Sequence, residues 1–218
     1  LAHQFEQGSG AGGGGGGPPG RQRRGRRPVA AGADAVLQAP LRLLMARPTV
    51  ALVHRSSLRH NLRRARELAP GSRVLACVKA DGYGHGLETV AAQLQDHSDG
   101  FAVASTEEAL ALRRAGIAAA IVLLEGVFEA AEWMLAAEHG LTVCVCDPRQ
   151  LQWLRECRVA GPLHCWLKID TGMHRLGLTP QQLGPALSQL RADRRLAAAP
   201  VLATHFARAD EPQCGDAR

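Results

Sequence analysis

Lys79 closes an apolar run, Val74-Leu75-Ala76-Cys77-Val78, and three glycines follow it at positions 82, 84 and 86. Between them stand Tyr83, the one tyrosine of the chain, and His85. A short apolar run of β-rich composition reads as a buried strand. A strand that ends in a lysine, then a glycine-rich turn, then a helical pattern from Leu87 is how a parallel α/β fold presents a reactive amine beside an anion-binding turn. A lysine at a strand end is ordinarily solvated. Here the run before it is apolar on both faces, which makes the strand central. The turn also has more glycine than a simple reversal needs, and the Tyr83 hydroxyl stands where a phosphate would take a donor.

A second chemical stretch runs from Leu163 to Gly177, L-H-C-W-L-K-I-D-T-G-M-H-R-L-G. Side chains alternate along a strand. Trp166, Lys168 and Asp170 share one face; Cys165, Leu167 and Ile169 share the other. The apolar face would pack on helices, and the polar face would look into a barrel near its C-terminal mouth, where active sites gather. A third stretch, Val201 to Asp210, carries His205 at a strand end.

At these positions the chain resembles the alanine racemase family of pyridoxal-phosphate enzymes. Residues 78–86 read V-K-A-D-G-Y-G-H-G, against V-K-A-(N/D)-x-Y-G-H-G in that family; Gly82 stands where Ala is commoner. Residues 167–177 match L-K-(I/M/L)-D-T-G-M-x-R-(L/I)-G, and residues 204–207 match T-H-F-A. The resemblance implies that Lys79 carries pyridoxal 5'-phosphate as an imine and is catalytic. It implies that Tyr83 contacts the cofactor phosphate, and that Arg175 contacts the cofactor's phenolic oxygen and the substrate carboxylate. His205 would belong to the hydrogen-bond network near the ring. Lys168 would be the lysine that many members carry as a carbamate. An ammonium there would repel Arg175, whereas a carbamate is an anion that orients it.

The function so implied is isomerisation: interconversion of L- and D-alanine, supplying D-alanine for peptidoglycan, by a cytoplasmic homodimer. Lys79 would serve one face of the substrate, and a tyrosine from the partner subunit's C-terminal domain the other. Tyr83 is assigned to phosphate, so the chain has no tyrosine left for that task. The resemblance covers about residues 45–210 and implies an N-terminal barrel portion that is inactive alone. The alternatives are a broad-specificity racemase or a basic amino-acid decarboxylase on the same barrel, or a non-catalytic pyridoxal-phosphate carrier. Intact Lys168 and Arg175 argue against the carrier.

The elements that must position these residues follow a regular pattern. Thr49 to Val53 reads as a strand, and Ser56 or Ser57 caps a helix through Leu68. Strands follow at Val74–Val78, Phe101–Ala104, Ile121–Leu124, Leu141–Cys146, Leu163–Ile169 and Pro200–Thr204. Helices fall between them: Leu87–Leu94, a segment from Ser105 or Thr106 to Gly116, Glu129–Glu138, Asp147–Cys157 and Pro180–Leu190. Strict alternation predicts an α/β fold with a parallel sheet. An open sheet and a closed barrel both fit it. No G-x-G-x-x-G follows the first strand, so a dinucleotide site is not expected. The resemblance selects an incomplete (β/α)8 barrel with about six of its eight strands. It leaves unpaired strand edges, an aggregation liability.

Residues 1–44 read as a disordered leader ahead of a domain at 45–218, with Met45 as the expected natural start. Gly12 to Gly17 is unbroken glycine and Arg21 to Arg27 a basic cluster. Such composition buries too little apolar surface to order. Asp34, Gln38 and Arg42 interrupt any apolar targeting core. The leader holds six arginines against Glu6 and Asp34, so it carries four of the six formal positive charges. The remainder shows no nucleic-acid footprint, and neither nucleic acid nor membrane is expected as a partner. The cysteines are at 77, 144, 146, 157, 165 and 214. Those at 77, 144, 146 and 165 lie in apolar runs and read as buried thiols in a reducing compartment. Cys144-x-Cys146 is not a usual metal spacing, and no metal is expected.

Overall fold

The computed structural model describes residues 52–208 together with two short upstream strands, β1 (Ala2–Phe5) and β2 (Val36–Gln38). Most of the leader, the boundary at Met45 and Cys214 lie outside the described residues. From β3 (Leu52–His54) the chain alternates as expected: α1 (Arg55–Leu68), β4 (Arg73–Cys77), a one-turn segment α2 (Lys79–Gly84), α3 (Leu87–Leu94), β5 (Gly100–Val103), α4 (Thr106–Arg114) and β6 (Ala120–Leu123). It continues through α5 (Glu132–Glu138), β7 (Leu141–Val145), α6 (Pro148–Glu156), β8 (His164–Ile169), α7 (Pro180–Ala192) and β9 (Val201–Thr204).

Local chemistry explains most boundaries. Ser105 caps α4, its hydroxyl accepting from the Glu108 amide. Asp147 caps α6, accepting from the Arg149 amide at 2.8 Å, with Pro148 at the first helical position. Pro180 likewise takes the first position of α7, where the Thr179 amide donates to Gln182 Oε1 at 2.9 Å. The first helix departs from expectation. It begins at Arg55, straight off the end of β3, with His54 at the N-cap and no side-chain cap. Ser56 and Ser57 therefore lie inside its first turn rather than at the cap.

Strands β4 to β9 form six parallel neighbours in sequence order. β1 adds antiparallel to β4, with Ala2 opposite Ala76, so that edge is paired and not open as the sequence suggested. β9 has only β8 beside it among the described strands. The six-stranded wall is curled. Laid flat, β4 and β9 would stand roughly 24 Å apart. Instead Cys77 at the end of β4 and Ala203 of β9 line one cavity of about 340 Å³.

The curl separates two apolar layers. Facing the helices is the main core, which includes Phe101, Ile121, Leu123, Val143, Val145, Cys165 and Leu167 from the strands and Leu112, Trp133, Leu154 and Leu190 from the helices. Facing inward is a smaller cluster of Leu75, Val122, Cys144 and Cys146, with Trp166, Leu176 and Ala203 packed on it. β8 shows the alternation directly: Cys165 and Leu167 go to the outer core, Trp166 to the inner cluster. The architecture is thus a half-barrel of the (β/α)8 type. The five described cysteines are free thiols, and those at 77, 144, 146 and 165 are buried. No helix among the described residues is long and apolar enough to cross a membrane.

Candidate active site

The C-terminal ends of the parallel strands bring the chemistry together. Lys79 stands two residues past β4, Lys168 is in β8, Arg175 in the loop after β8, and His205 directly after β9. With Tyr83 they line the 340 Å³ cavity, which also takes Cys77, Glu125, Cys144, Trp166, Leu176 and Thr204. All five site residues expected from the sequence are therefore in one wall. These two lysines are the only ones in the 218-residue chain.

The turn after Lys79 is built unusually. Ala80, Asp81, Gly82 and Tyr83 have φ of 53°, 53°, 62° and 56°, one left-handed helical turn. Glycine takes that conformation freely, whereas side-chain-bearing residues are strained in it by about 1–2 kcal/mol each. Several hydrogen bonds hold it. The Gly82 amide donates to Val78 O at 2.8 Å and the Gly86 amide to Asp81 O at 2.9 Å. The Asp81 carboxylate accepts from the Leu87 amide at 2.8 Å, which caps α3. His85 turns its Nδ1 toward Gly82 O and Tyr83 O, a structural role within the turn. The expected anion-binding turn is accordingly modified. Its amides at 82, 85, 86 and 87 are engaged within the turn, and its contribution to the cavity wall beyond Lys79 is the Tyr83 side chain.

The site is cationic. Lys79, Lys168 and Arg175 face one carboxylate, Glu125, whose Oε1 lies 3.8 Å from Lys79 Nζ. Both partners are about one-third exposed. Glu125 belongs to a Leu-Glu-Gly turn after β6 that sequence reading left without chemistry. Its signal was its place just past a strand end, before a glycine at φ 75°. The buried Gln150 side chain fixes that turn, donating to Glu125 O at 2.9 Å and Val127 O at 2.8 Å while accepting from the Cys146 amide at 2.7 Å. A Cβ on Gly126 would collide with Gln150.

The surroundings keep several groups neutral. Desolvation, then the charges of Lys168, Arg175 and Lys79, push His205 below the ordinary histidine value. The contact with Cys77 Sγ at 3.6 Å, then burial, pushes the Tyr83 phenol up to about 12. The neighbouring Cys146 thiol, then burial, raises Cys144 well above the usual thiol range.

Asp170 departs from the expectation that it would share the inward face with Lys168. β8 ends at Ile169, and the Asp170 carboxylate turns back into its own loop. It accepts from the amides of Gly172 and His174, each at 3.0 Å, and from His174 Nδ1 at 3.0 Å. Strand alternation stops applying once the ladder ends. What Asp170 does is hold the turn that carries Arg175.

Comparison with known proteins fits this arrangement. The sequence matches the family profile "Alanine racemase, N-terminal domain" over residues 53–217. It is 51% identical over 168 residues to the alanine racemase of Xanthomonas campestris pv. campestris, covering 77% of this chain and 46% of that protein. The fold superposes on the biosynthetic alanine racemase of Pseudomonas aeruginosa with a TM-score of 0.71 and 40% identity, covering 74% of this chain and 45% of the other. A histidine racemase from Leuconostoc mesenteroides subsp. sake gives 0.66 and 28%, covering 75% and 44%. The chain spans under half the length of these relatives. It belongs to the alanine racemase family and carries that family's N-terminal domain.

Proposed function

We propose that the chain is the cofactor-holding part of a pyridoxal-phosphate-dependent racemase that interconverts L- and D-alanine, the D-isomer serving peptidoglycan synthesis in the cytoplasm. The observation that carries this reading is the convergence of both lysines of an arginine-rich chain on one cavity with Arg175, Tyr83 and His205.

The donor set fits an anionic aldehyde cofactor. A cavity of about 340 Å³ is at the small end of the ligand-site range of about 300–1,000 Å³. It offers an amine for covalent attachment, Lys79, and a phenol that stays protonated near neutral pH, Tyr83, as a donor to phosphate. Arg175 supplies a planar cation for the cofactor's phenolic oxygen and the substrate carboxylate. What the bound cofactor supplies is an electron sink for the carbanion left when an α-proton departs.

The chain's own residues do the rest. Glu125 directs the free Lys79 amine along the cavity wall. Lys79 takes a proton at the substrate α-carbon from one face and returns it to that face. His205 is held neutral first by its burial. Lys168, carried as a carbamate, becomes the anion that orients Arg175. Inversion needs a second proton carrier on the opposite face, and Tyr83, the sole tyrosine, is assigned to the phosphate and sets its hydroxyl 3.6 Å from Cys77 Sγ. We assign that carrier to the other subunit of a homodimer of the complete enzyme.

One experiment tests the split of labour. The chain, loaded with pyridoxal phosphate in heavy water, should exchange the α-hydrogen of one alanine enantiomer with configuration retained and leave the other enantiomer untouched. Efficient racemisation by the chain alone would contradict the one-face assignment. Exchange of neither enantiomer by a loaded chain would contradict the role of Lys79. A wider substrate range is the second reading, favoured by the likeness to a histidine racemase. Exchange of histidine as fast as alanine would select it.

A further inference from the structure

Lys79 is not placed by its strand alone. β4 stops at Cys77, and the left-handed turn starts with Ala80, the residue directly after Lys79. Three of the four residues in that turn bear side chains. Strained turns of this kind persist where their surroundings over-determine them. One of the restraints comes from a different βα unit. The Ala80 amide donates to Glu108 Oε1 at 2.6 Å, and the Ala104 amide donates to Glu108 Oε2 at 2.9 Å.

Ala104 is the first residue after β5, and Glu108 lies in the first turn of α4. One carboxylate therefore joins the C-terminal ends of two adjacent parallel strands, gripping the peptide that carries the Lys79 carbonyl. Both bonds are charge-assisted, a class roughly twice as strong as neutral ones. A helix-capping role alone does not call for them. The α4 cap is Ser105, and the exposed Glu107 beside it already gives that helix end a negative charge.

We propose that Glu108 is a positioning residue for Lys79: its two oxygens lock the first peptide of the left-handed turn to β5 and thereby aim the amine into the cavity. The proposal rests on Lys79 being the cofactor attachment point. A glutamine at 108 keeps the size but presents an N–H to one of the two amides, so one grip becomes a repulsion. An aspartate keeps the charge but is too short to bridge both.

The test compares the unchanged chain with Glu108→Gln, Glu108→Asp and Glu107→Gln. Three quantities are read: the rate at which borohydride traps pyridoxal phosphate on Lys79, the visible circular dichroism per trapped cofactor, and amide exchange at Ala80 and Phe101 in the cofactor-free chain. Glu108→Gln should trap roughly ten-fold more slowly, the size of one charge-assisted bond. It should also change the dichroism per cofactor and speed exchange at Ala80 while Phe101 keeps its protection. Glu108→Asp should fall between, and Glu107→Gln should match the unchanged chain. Trapping at the unchanged rate in Glu108→Gln, or equal loss of protection at Ala80 and Phe101, overturns the proposal. If Glu108→Gln does not fold, the Ala80 amide of the unchanged chain decides: slow exchange supports the clamp, and exchange at the rate of a free amide overturns it. If the unchanged chain never labels Lys79, the function reading falls, while the Ala80 exchange still reports whether the clamp exists.

Discussion

The two ends of the half-barrel are made from the same strands yet have different chemistry. At the C-terminal end the 340 Å³ cavity gathers Lys79, Lys168 and Arg175 against Glu125. At the N-terminal end a cavity of about 270 Å³ is lined by Arg73, Leu75, Asp99, Ala120, Val122, Thr142 and Val201. Trp166 lines both and forms the floor between them. The Asp99 carboxylate there accepts from Arg66 Nη2 and from the Val74 amide, each at 2.7 Å. It ties α1 and β4 to the loop before β5. Similar volumes are therefore lined unlike: three cationic side chains against one carboxylate at one end, a carboxylate already engaged by two donors at the other. In a parallel barrel the loops that follow the strands are the ones free to vary, while the opposite loops hold the strands in register.

The largest expected contrast comes from exchanging amine for guanidinium. Lys79→Arg keeps a cation at the site but removes the nucleophile, so trapping of pyridoxal phosphate should fall to background with the fold intact by circular dichroism. Next is Arg175→Ala, expected to lower kcat/KM for alanine α-hydrogen exchange roughly 100-fold, the scale for losing one partner of a charged pair, while adduct formation at Lys79 survives. At the opposite end Asp99→Asn should leave trapping unchanged and cost about 1–3 kcal/mol of stability in urea unfolding, because a carboxylate with two donors is lost. Slower trapping in Asp99→Asn would blur the distinction between the ends.

The smallest effect is a pH slope. His205 binds its proton less readily folded than unfolded, since burial and three cations disfavour its charged form. The unfolded chain therefore binds more protons in that window, and stability rises with pH there. The contribution is present above about pH 6.5, the ordinary histidine value, and is lost as pH falls through the lower folded value. Replacing His205 with glutamine should flatten that part of the stability profile, and an unchanged slope would place the titration elsewhere.

Sequence alone carried the alternation of strands and helices, because each buried strand is a short apolar run bounded by glycine, proline or a capping side chain. The resemblance to the family motifs singled out Lys79, Lys168, Arg175, Tyr83 and His205, which line one cavity. Three features were not legible. The left-handed turn is one: nothing about Ala80 or Tyr83 announces positive φ, and the conformation is held by bonds to Glu108 and Val78 outside the turn and to Asp81 within it. Glu125 is another, because which strand ends face one another depends on how tightly the sheet curls. Asp170 is the third, because the period of two that put it beside Lys168 holds only while the ladder continues. The early start of α1 at Arg55 has the same character: β3 feeds the helix directly, so a serine one or two residues further in is not needed as a cap.

The account turns on which of two amines takes the aldehyde. Pyridoxal phosphate added to the chain, fixed with borohydride and mapped by peptide mass, should appear on residue 79 with Lys168 unlabelled. Label on Lys168 instead, or on neither lysine of a folded sample, would contradict it.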